Sequence, residues 1–145
     1  MKTLFVDTNI VIDLFAKREP FYTEAATLFS LADTKKLSLN VSALTFANAN
    51  YILIQSKKQD EAKLILRKLK LIVSVVSLDE KIVGLSLNDN DFKDYEDALQ
   101  YYSALDNGAE AIITRNLRDF KKSKLPVMTA AQFLKNFLKD KSSED

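Results

Sequence analysis

The stretch Leu4-Phe5-Val6-Asp7-Thr8-Asn9 joins a short apolar run to polar residues that follow it directly. The apolar run predicts a buried strand, and the helical spacing of apolar residues over residues 9–16 predicts a helix after it. The same arrangement returns near the other end of the chain, where Ala111-Ile112-Ile113 precedes Thr114-Arg115-Asn116. Both segments predict strands whose carboxyl ends carry polar side chains.

Between these two segments, predicted strands alternate with predicted helices. Further strands are expected at residues 37–41, 71–76 and 126–128, and helices at 20–32, 42–53, 59–69, 80–87, 94–105 and 130–138, with Pro20 in a first turn and Ser42 and Asp79 as caps. This alternation predicts an α/β fold with a central parallel sheet covered by helices on both faces. We expect one domain over residues 1–138 and a disordered polar tail over residues 139–145.

Composition narrows the chemistry that the chain can perform. It has 145 residues, 47% of them hydrophobic, a formal net charge of +1, and neither histidine nor cysteine. Nucleophilic sites that need an imidazole base and Cys/His zinc sites are therefore excluded. Carboxylate chemistry remains, and clustered carboxylates favour a hard cation such as Mg²⁺ or Mn²⁺.

Membrane insertion is not expected, since no apolar run approaches the roughly 20 residues of a membrane span. The first residues, Met1-Lys2-Thr3-Leu4-Phe5-Val6-Asp7, turn acidic too early for a signal peptide. The sequence thus predicts a cytoplasmic protein with no membrane partner.

Three aspartates are candidates for a metal site: Asp7 after the first strand, Asp97 at the start of a helix, and Asp119 after Thr114-Arg115-Asn116. Each also has a structural interpretation, as a helix cap for Asp7, a first-turn acid after Asp94 for Asp97, and a surface ion pair for Asp119. Parallel strands place their carboxyl ends at one edge of the sheet, where ligands collect. This shared location favours the metal-site interpretation of all three.

In sequence order, these residues resemble the PIN domain, and the resemblance extends to about residue 138. It is carried by Val6-Asp7-Thr8-Asn9, Ser42-Ala43-Leu44-Thr45, Asp97-Ala98, Ile113-Thr114-Arg115-Asn116 and Asp119-Phe120. Small members of that family include the VapC-type ribonuclease toxins, which use Mg²⁺ or Mn²⁺. The resemblance implies a three-layer sandwich and a metal-dependent endoribonuclease, with an antitoxin protein and a second copy of the chain as partners.

The resemblance also implies roles for individual residues. Asp7, Asp97 and Asp119 fall on acidic metal-site positions, whereas Asn48 stands where the family usually has a glutamate; Asp94, one turn before Asp97, is the candidate for the missing charge. Contacts to the RNA substrate are expected from Thr8, Asn9, Thr114, Arg115, Asn116 and Arg118, with the basic segment 121–124 following the RNA backbone. The homodimer is expected to use apolar residues of the second and fourth helices (Phe21, Phe29, Leu64, Leu66).

Two other functions stay open at this point. Asn48 supplies a neutral oxygen, so a PIN fold that binds RNA or protein without cleaving it is one alternative. A metal-dependent phosphatase on another doubly wound fold is the second. The Asp-x-Asp pair typical of an aspartyl-phosphate nucleophile is missing after Asp7, which counts against the phosphatase.

Overall fold

The computed structural model describes the backbone of residues 1–144 and the side chains of residues 1–140. This part of the chain forms five strands and seven helices, with one 3₁₀ helix at Leu117–Phe120; pairs of helices connect β1 to β2, β2 to β3 and β3 to β4. The strands are β1 (Lys2–Val6), β2 (Leu37–Ser42), β3 (Ser74–Val76), β4 (Ala111–Ile113) and β5 (Val127–Met128). The helices are α1 (Thr8–Phe15), α2 (Tyr22–Asp33), α3 (Ala43–Leu53), α4 (Gln59–Ile72), α5 (Glu80–Asn88), α6 (Tyr95–Asp106) and α7 (Ala130–Glu144).

The five strands form one sheet in the order β3-β2-β1-β4-β5, and every neighbouring pair is parallel. Phe5 lies beside Asn40 on one side and Ile112 on the other, so the strands of the sheet centre end at the same edge. The predicted α/β sandwich with a central parallel sheet is confirmed.

Alternate residues of the central strands supply two hydrophobic cores, one on each face of the sheet. Leu4, Val6 and Ile113 belong to the larger core, which packs against α1, α2, α4 and α7. Phe5 and Ile112 belong to the smaller core, where they meet buried residues of α6. Because successive side chains of a strand point to opposite faces, nearly continuous apolar runs serve both cores.

Predicted boundaries are wrong between α4 and β3 and at the start of α2. The strand expected over residues 71–76 begins only at Ser74, because α4 continues to Ile72. Leu69 and Ile72 lie on the helix face that packs into the larger core, so burial favours three further helical residues over β propensity. Pro20 is not in the first turn of α2, which begins at Tyr22; it lies in the preceding turn.

The final helix is longer than predicted. It was expected to end at residue 138, whereas α7 runs to Glu144. Residues 139–144, predicted as a disordered tail, thus continue the helix, while Asp145 lies outside the described residues. Residues 139–144 contain no glycine or proline, and extending a helix costs less than nucleating one.

Two of the four residues proposed for a homodimer surface contribute to the core instead. Phe29 is 3% exposed, and Leu66 packs against the larger core. Leu64 and Phe21 are exposed. Among the described residues, none of the helices has both the length and the apolar content needed to cross a membrane.

Candidate active site at the carboxyl edge of the sheet

Asp7 lies at the junction of the two central strands. Its backbone N–H donates to the carbonyl of Ile113 at 2.9 Å, which joins the ends of β1 and β4. Its side chain accepts the N–H of Thr8 at 2.8 Å and so caps α1. The predicted capping role is therefore present, and it leaves both carboxylate oxygens near other polar groups.

Each oxygen of the Asp7 carboxylate accepts two hydrogen bonds. Oδ1 accepts from the N–H of Thr8 and from Gln100 Nε2 at 3.2 Å, and Oδ2 accepts from Thr114 Oγ1 at 2.8 Å and Asn9 Nδ2 at 3.2 Å. Burial nevertheless raises the pKa of Asp7, although the bonds from Thr114, Gln100 and Thr8 lower it, and the charge of Asp119 raises it further. A buried carboxylate with only neutral donors around it attracts a cation.

Asp97 is the second acid of the site. Asp94 caps α6 through a 3.1 Å bond from the Asp97 N–H, as predicted, so the Asp97 carboxyl is not needed as the cap. Burial is the main reason that the pKa of Asp97 is raised to about 7, and Asp94, Asp7, Asp119 and Glu96 add repulsion. Asp97 therefore also carries an electrostatic cost that a bound cation would relieve.

Two polar clefts meet at Asp97. The first, about 240 Å³ in volume, is lined by Asp7, Thr8, Asn9, Leu44, Asn48, Glu96, Asp97, Gln100 and Asn116. The second, about 230 Å³, is lined by Asp91, Lys93, Asp94, Asp97, Arg118, Asp119, Lys121 and Lys122. The first holds two of the predicted metal-site acids, and the second places the third acid beside four cationic side chains.

The donor set of this edge fits a hard divalent cation. Asp7, Asp97 and Asp119 interact electrostatically, and carboxylate oxygens are the preferred ligands of Mg²⁺ and Mn²⁺. Within the described part of the chain, however, no three acidic side chains are spaced as ligands of one ion. Like-charge repulsion among the three carboxylates favours their separation, and a bound cation would offset it.

Asn48 lies in the first cleft with Asp7 and Asp97, where the family resemblance placed it. If Asn48 were only a polar residue in the interior of α3, Ser42 and Thr45 would be natural hydrogen-bonding partners for it. Those two hydroxyls instead bond to Gln100, at 2.6 Å from Ser42 and 3.0 Å from Thr45. Asn48 itself is half-buried and lines the cleft.

Thr114 and Arg115, both predicted to contact RNA, are not among the residues that line the two clefts. Thr114 is fully buried, donates to Asp7 and accepts the N–H of Asn116 at 3.0 Å, so it holds the site together. The guanidinium of Arg115 bonds through Nε to the buried Asp13 at 2.6 Å and lies 4.3 Å from the centre of the Phe21 ring. It lines a separate, mostly apolar cavity of about 350 Å³ between α1, α2 and α7.

Gln100 is the site residue that sequence reasoning missed. It is 3% exposed and bonds to Asp7, Thr8, Ser42 and Thr45. The available signal was its position three residues after Asp97, which places both on one face of a helix, together with a polar amide among the apolar neighbours Leu99 and Tyr101.

Known proteins share this architecture. Ribonuclease VapC1 of Aquifex aeolicus is 29% identical over 133 residues, covering 90% of this chain and 92% of that protein. The VapBC-1 structure from nontypeable Haemophilus influenzae superimposes with a TM-score of 0.68 at 21% identity, over 89% of this chain and 98% of that one. VapC20 of Mycobacterium tuberculosis, described as a toxin that cleaves the sarcin-ricin loop, gives 0.57 at 16% identity, over 75% and 86%. The PIN domain model matches residues 3–118, and the chain belongs to the PIN domain family.

Proposed function

We propose that this protein is a metal-dependent endoribonuclease that hydrolyses RNA phosphodiesters and acts as the toxin of a toxin–antitoxin pair. The observation that carries the proposal is the polar cleft that both Asp7 and Asp97 line, with no cationic side chain among the other lining residues. The similarity to a ribonuclease over 90% of the chain supports RNA as the substrate.

Asp7, Asp97 and Asp119 would hold Mg²⁺ or Mn²⁺, with Asn48 and Asp94 as further oxygen donors at the two cleft walls. The cation would lower the pKa of bound water and offset negative charge on the reacting phosphate. Membership of the PIN domain family and the carboxylate donors both support a hard divalent cation. We propose either Mg²⁺ or Mn²⁺ as that cation.

The remaining cleft residues divide into two groups. Thr8, Asn9 and Asn116 line the first cleft, where their hydroxyl and amide groups can donate to phosphate oxygens. Arg118, Lys121 and Lys122 line the second, where the RNA backbone would continue past Asp97. Thr114, which is buried and donates to Asp7, and Arg115, which is ion-paired with Asp13, would stabilise this arrangement.

Partners follow from the same family relationship. Several structural relatives are toxin–antitoxin complexes, including one from Klebsiella pneumoniae with a TM-score of 0.65, which supports an antitoxin protein as partner. A homodimer in the cytoplasm is part of the proposal, and Leu64 and Phe21 are exposed on the surface predicted for it. Light scattering that finds a monomer at tens of micromolar would reject the homodimer, since a standard-sized interface is largely associated at that concentration.

A non-catalytic PIN domain is the alternative that a specific observation favours. Asn48 removes one carboxylate from the first cleft, and the described acids do not form a ready three-carboxylate cluster. The phosphatase alternative required a different doubly wound fold, which membership of the PIN domain family contradicts.

Cleavage of a generic single-stranded RNA, followed during Mn²⁺ and Mg²⁺ titration, separates catalysis from binding alone. The wild-type protein should cleave only with metal, and Asp7→Asn should abolish cleavage while retaining its fold. Asp60→Asn removes an exposed carboxylate from α4 and is the matched control that should cleave normally. RNA binding without cleavage at any metal concentration would favour the non-catalytic alternative.

A further inference from the structure

Gln100 links three elements that build the candidate site. Its amide oxygen accepts Ser42 Oγ at 2.6 Å, at the end of β2. Its amide nitrogen donates to Asp7 Oδ1 at 3.2 Å, at the end of β1, and to Thr45 Oγ1 at 3.0 Å, in α3. Gln100 itself belongs to α6, so one buried amide connects α6 to both strand ends and to α3.

Hydrogen-bond chemistry fixes the direction of this amide. Ser42 already accepts the N–H of Thr45, and its single hydroxyl proton is directed to the Gln100 oxygen. The reverse orientation of the amide would place its oxygen against the acceptor-only carboxylate of Asp7. The Asp7 carboxylate thus selects the orientation in which an N–H of Gln100 is aimed at it, and Ser42, whose hydroxyl can donate to the Gln100 oxygen, is compatible with that orientation.

The position of Gln100 on α6 also connects it to Asp97. Residues three apart on a helix lie on one face, and Asp97 and Gln100 line the same cleft. We propose that Gln100 is a positioning residue of the metal site, which orients the Asp7 carboxylate and seats α6 so that Asp97 lies opposite Asp7. This inference rests on the proposed function, in which Asp7 and Asp97 bind the cation.

Calorimetric titration of Mn²⁺ into the full chain tests the inference directly. Gln100→Met keeps an unbranched side chain of similar length but removes the donor and the acceptor. We expect it to weaken Mn²⁺ binding by about 10- to 100-fold, the usual effect of removing a group that orients a metal ligand. Ser103→Ala is the control, one turn later on α6, where a buried hydroxyl has no partner among the described residues; it should bind Mn²⁺ within about twofold of wild type.

A cleavage assay distinguishes positioning from a general loss of structure. If Gln100 acts through the ligand geometry, the half-saturating Mn²⁺ concentration rises by the same factor, while the rate at saturating Mn²⁺ stays within about threefold. A structural defect would lower the maximal rate without moving half-saturation. Should Gln100→Met fail to fold by circular dichroism, Gln100→Asn, which keeps the amide but shortens its reach, takes its place in both measurements.

Two results would overturn the inference in different ways. Unchanged Mn²⁺ affinity in the folded Gln100 variant, beside clear loss in Asp7→Asn, would remove Gln100 from the metal site and leave the proposed function standing. Equal Mn²⁺ affinity in wild type and Asp7→Asn would refute the metal site itself, and the role of Gln100 with it.

Discussion

Replacing Asp97 by asparagine should stabilise the metal-free protein. Asp97 ionises in the folded state with a pKa of about 7 instead of 3.8, mainly because burial disfavours its charge. At roughly 1.4 kcal/mol per pKa unit this would cost about 4 kcal/mol. Asp97 is only half-buried, so solvent screening reduces the cost to roughly 1–2 kcal/mol. For a chain of this length, Asp97→Asn should therefore raise Tm by roughly 3–8 °C at pH 8 in chelator.

The pH dependence provides the check on this reasoning. A carboxyl whose folded-state pKa is raised binds its proton more tightly in the folded protein, so wild type loses stability as pH rises from about 4 to about 7. The advantage of Asp97→Asn should thus be small at pH 4 and complete above pH 7. Added Mn²⁺ should reverse the order by stabilising wild type more than the variant.

Thermal unfolding of wild type, Asp97→Asn and Asp60→Asn at both pH values decides the matter. Asp60→Asn removes an exposed carboxylate and should change Tm little. If Asp97→Asn melts at or below the Tm of wild type at pH 8, or if its gain in Tm is equally large at pH 4, ionised Asp97 does not destabilise the folded protein.

Three further variants test other parts of the site. Asn48→Glu should strengthen Mn²⁺ binding and lower the stability of the metal-free protein, and equal calorimetric affinities would mean that Asn48 points away from the ion. Replacing Arg118 and Lys122 by alanine in an inactive background should reduce the slope of log affinity for single-stranded RNA against log salt by about 1.4, and an unchanged slope would exclude the second cleft from the RNA path. Arg115→Met leaves Asp13 buried and unpaired, so urea unfolding should show a loss of about 3 kcal/mol, whereas a loss near zero would show that the pair contributes little.

The sequence predicted the parts of the site that local rules determine. Asp7 and Thr114 each follow a buried strand, and parallel strands place their carboxyl ends at one edge of the sheet. The sequence therefore indicated that the two residues lie at the same edge, where they form a 2.8 Å hydrogen bond. The capping of α6 by Asp94 follows from the spacing of two acids at a helix start.

The contacts that escaped prediction join residues far apart in sequence. Gln100 reaches Asp7 across 93 positions, and Arg115 reaches Asp13 across 102. No local periodicity encodes such pairs, because they depend on how α6 and α1 pack against the sheet. The start of β3 was also missed, since burial of Ile72 in the larger core outweighed the β propensity of its neighbours.

The most direct test of the account is a crystal structure of the wild-type protein soaked in Mn²⁺, with the ion located by its anomalous scattering. We expect manganese at the carboxyl edge of the sheet, bound by oxygens of Asp7 and Asp97, with Asp119 turned toward it. Manganese bound only elsewhere on the protein, or no manganese at millimolar concentration, would contradict it.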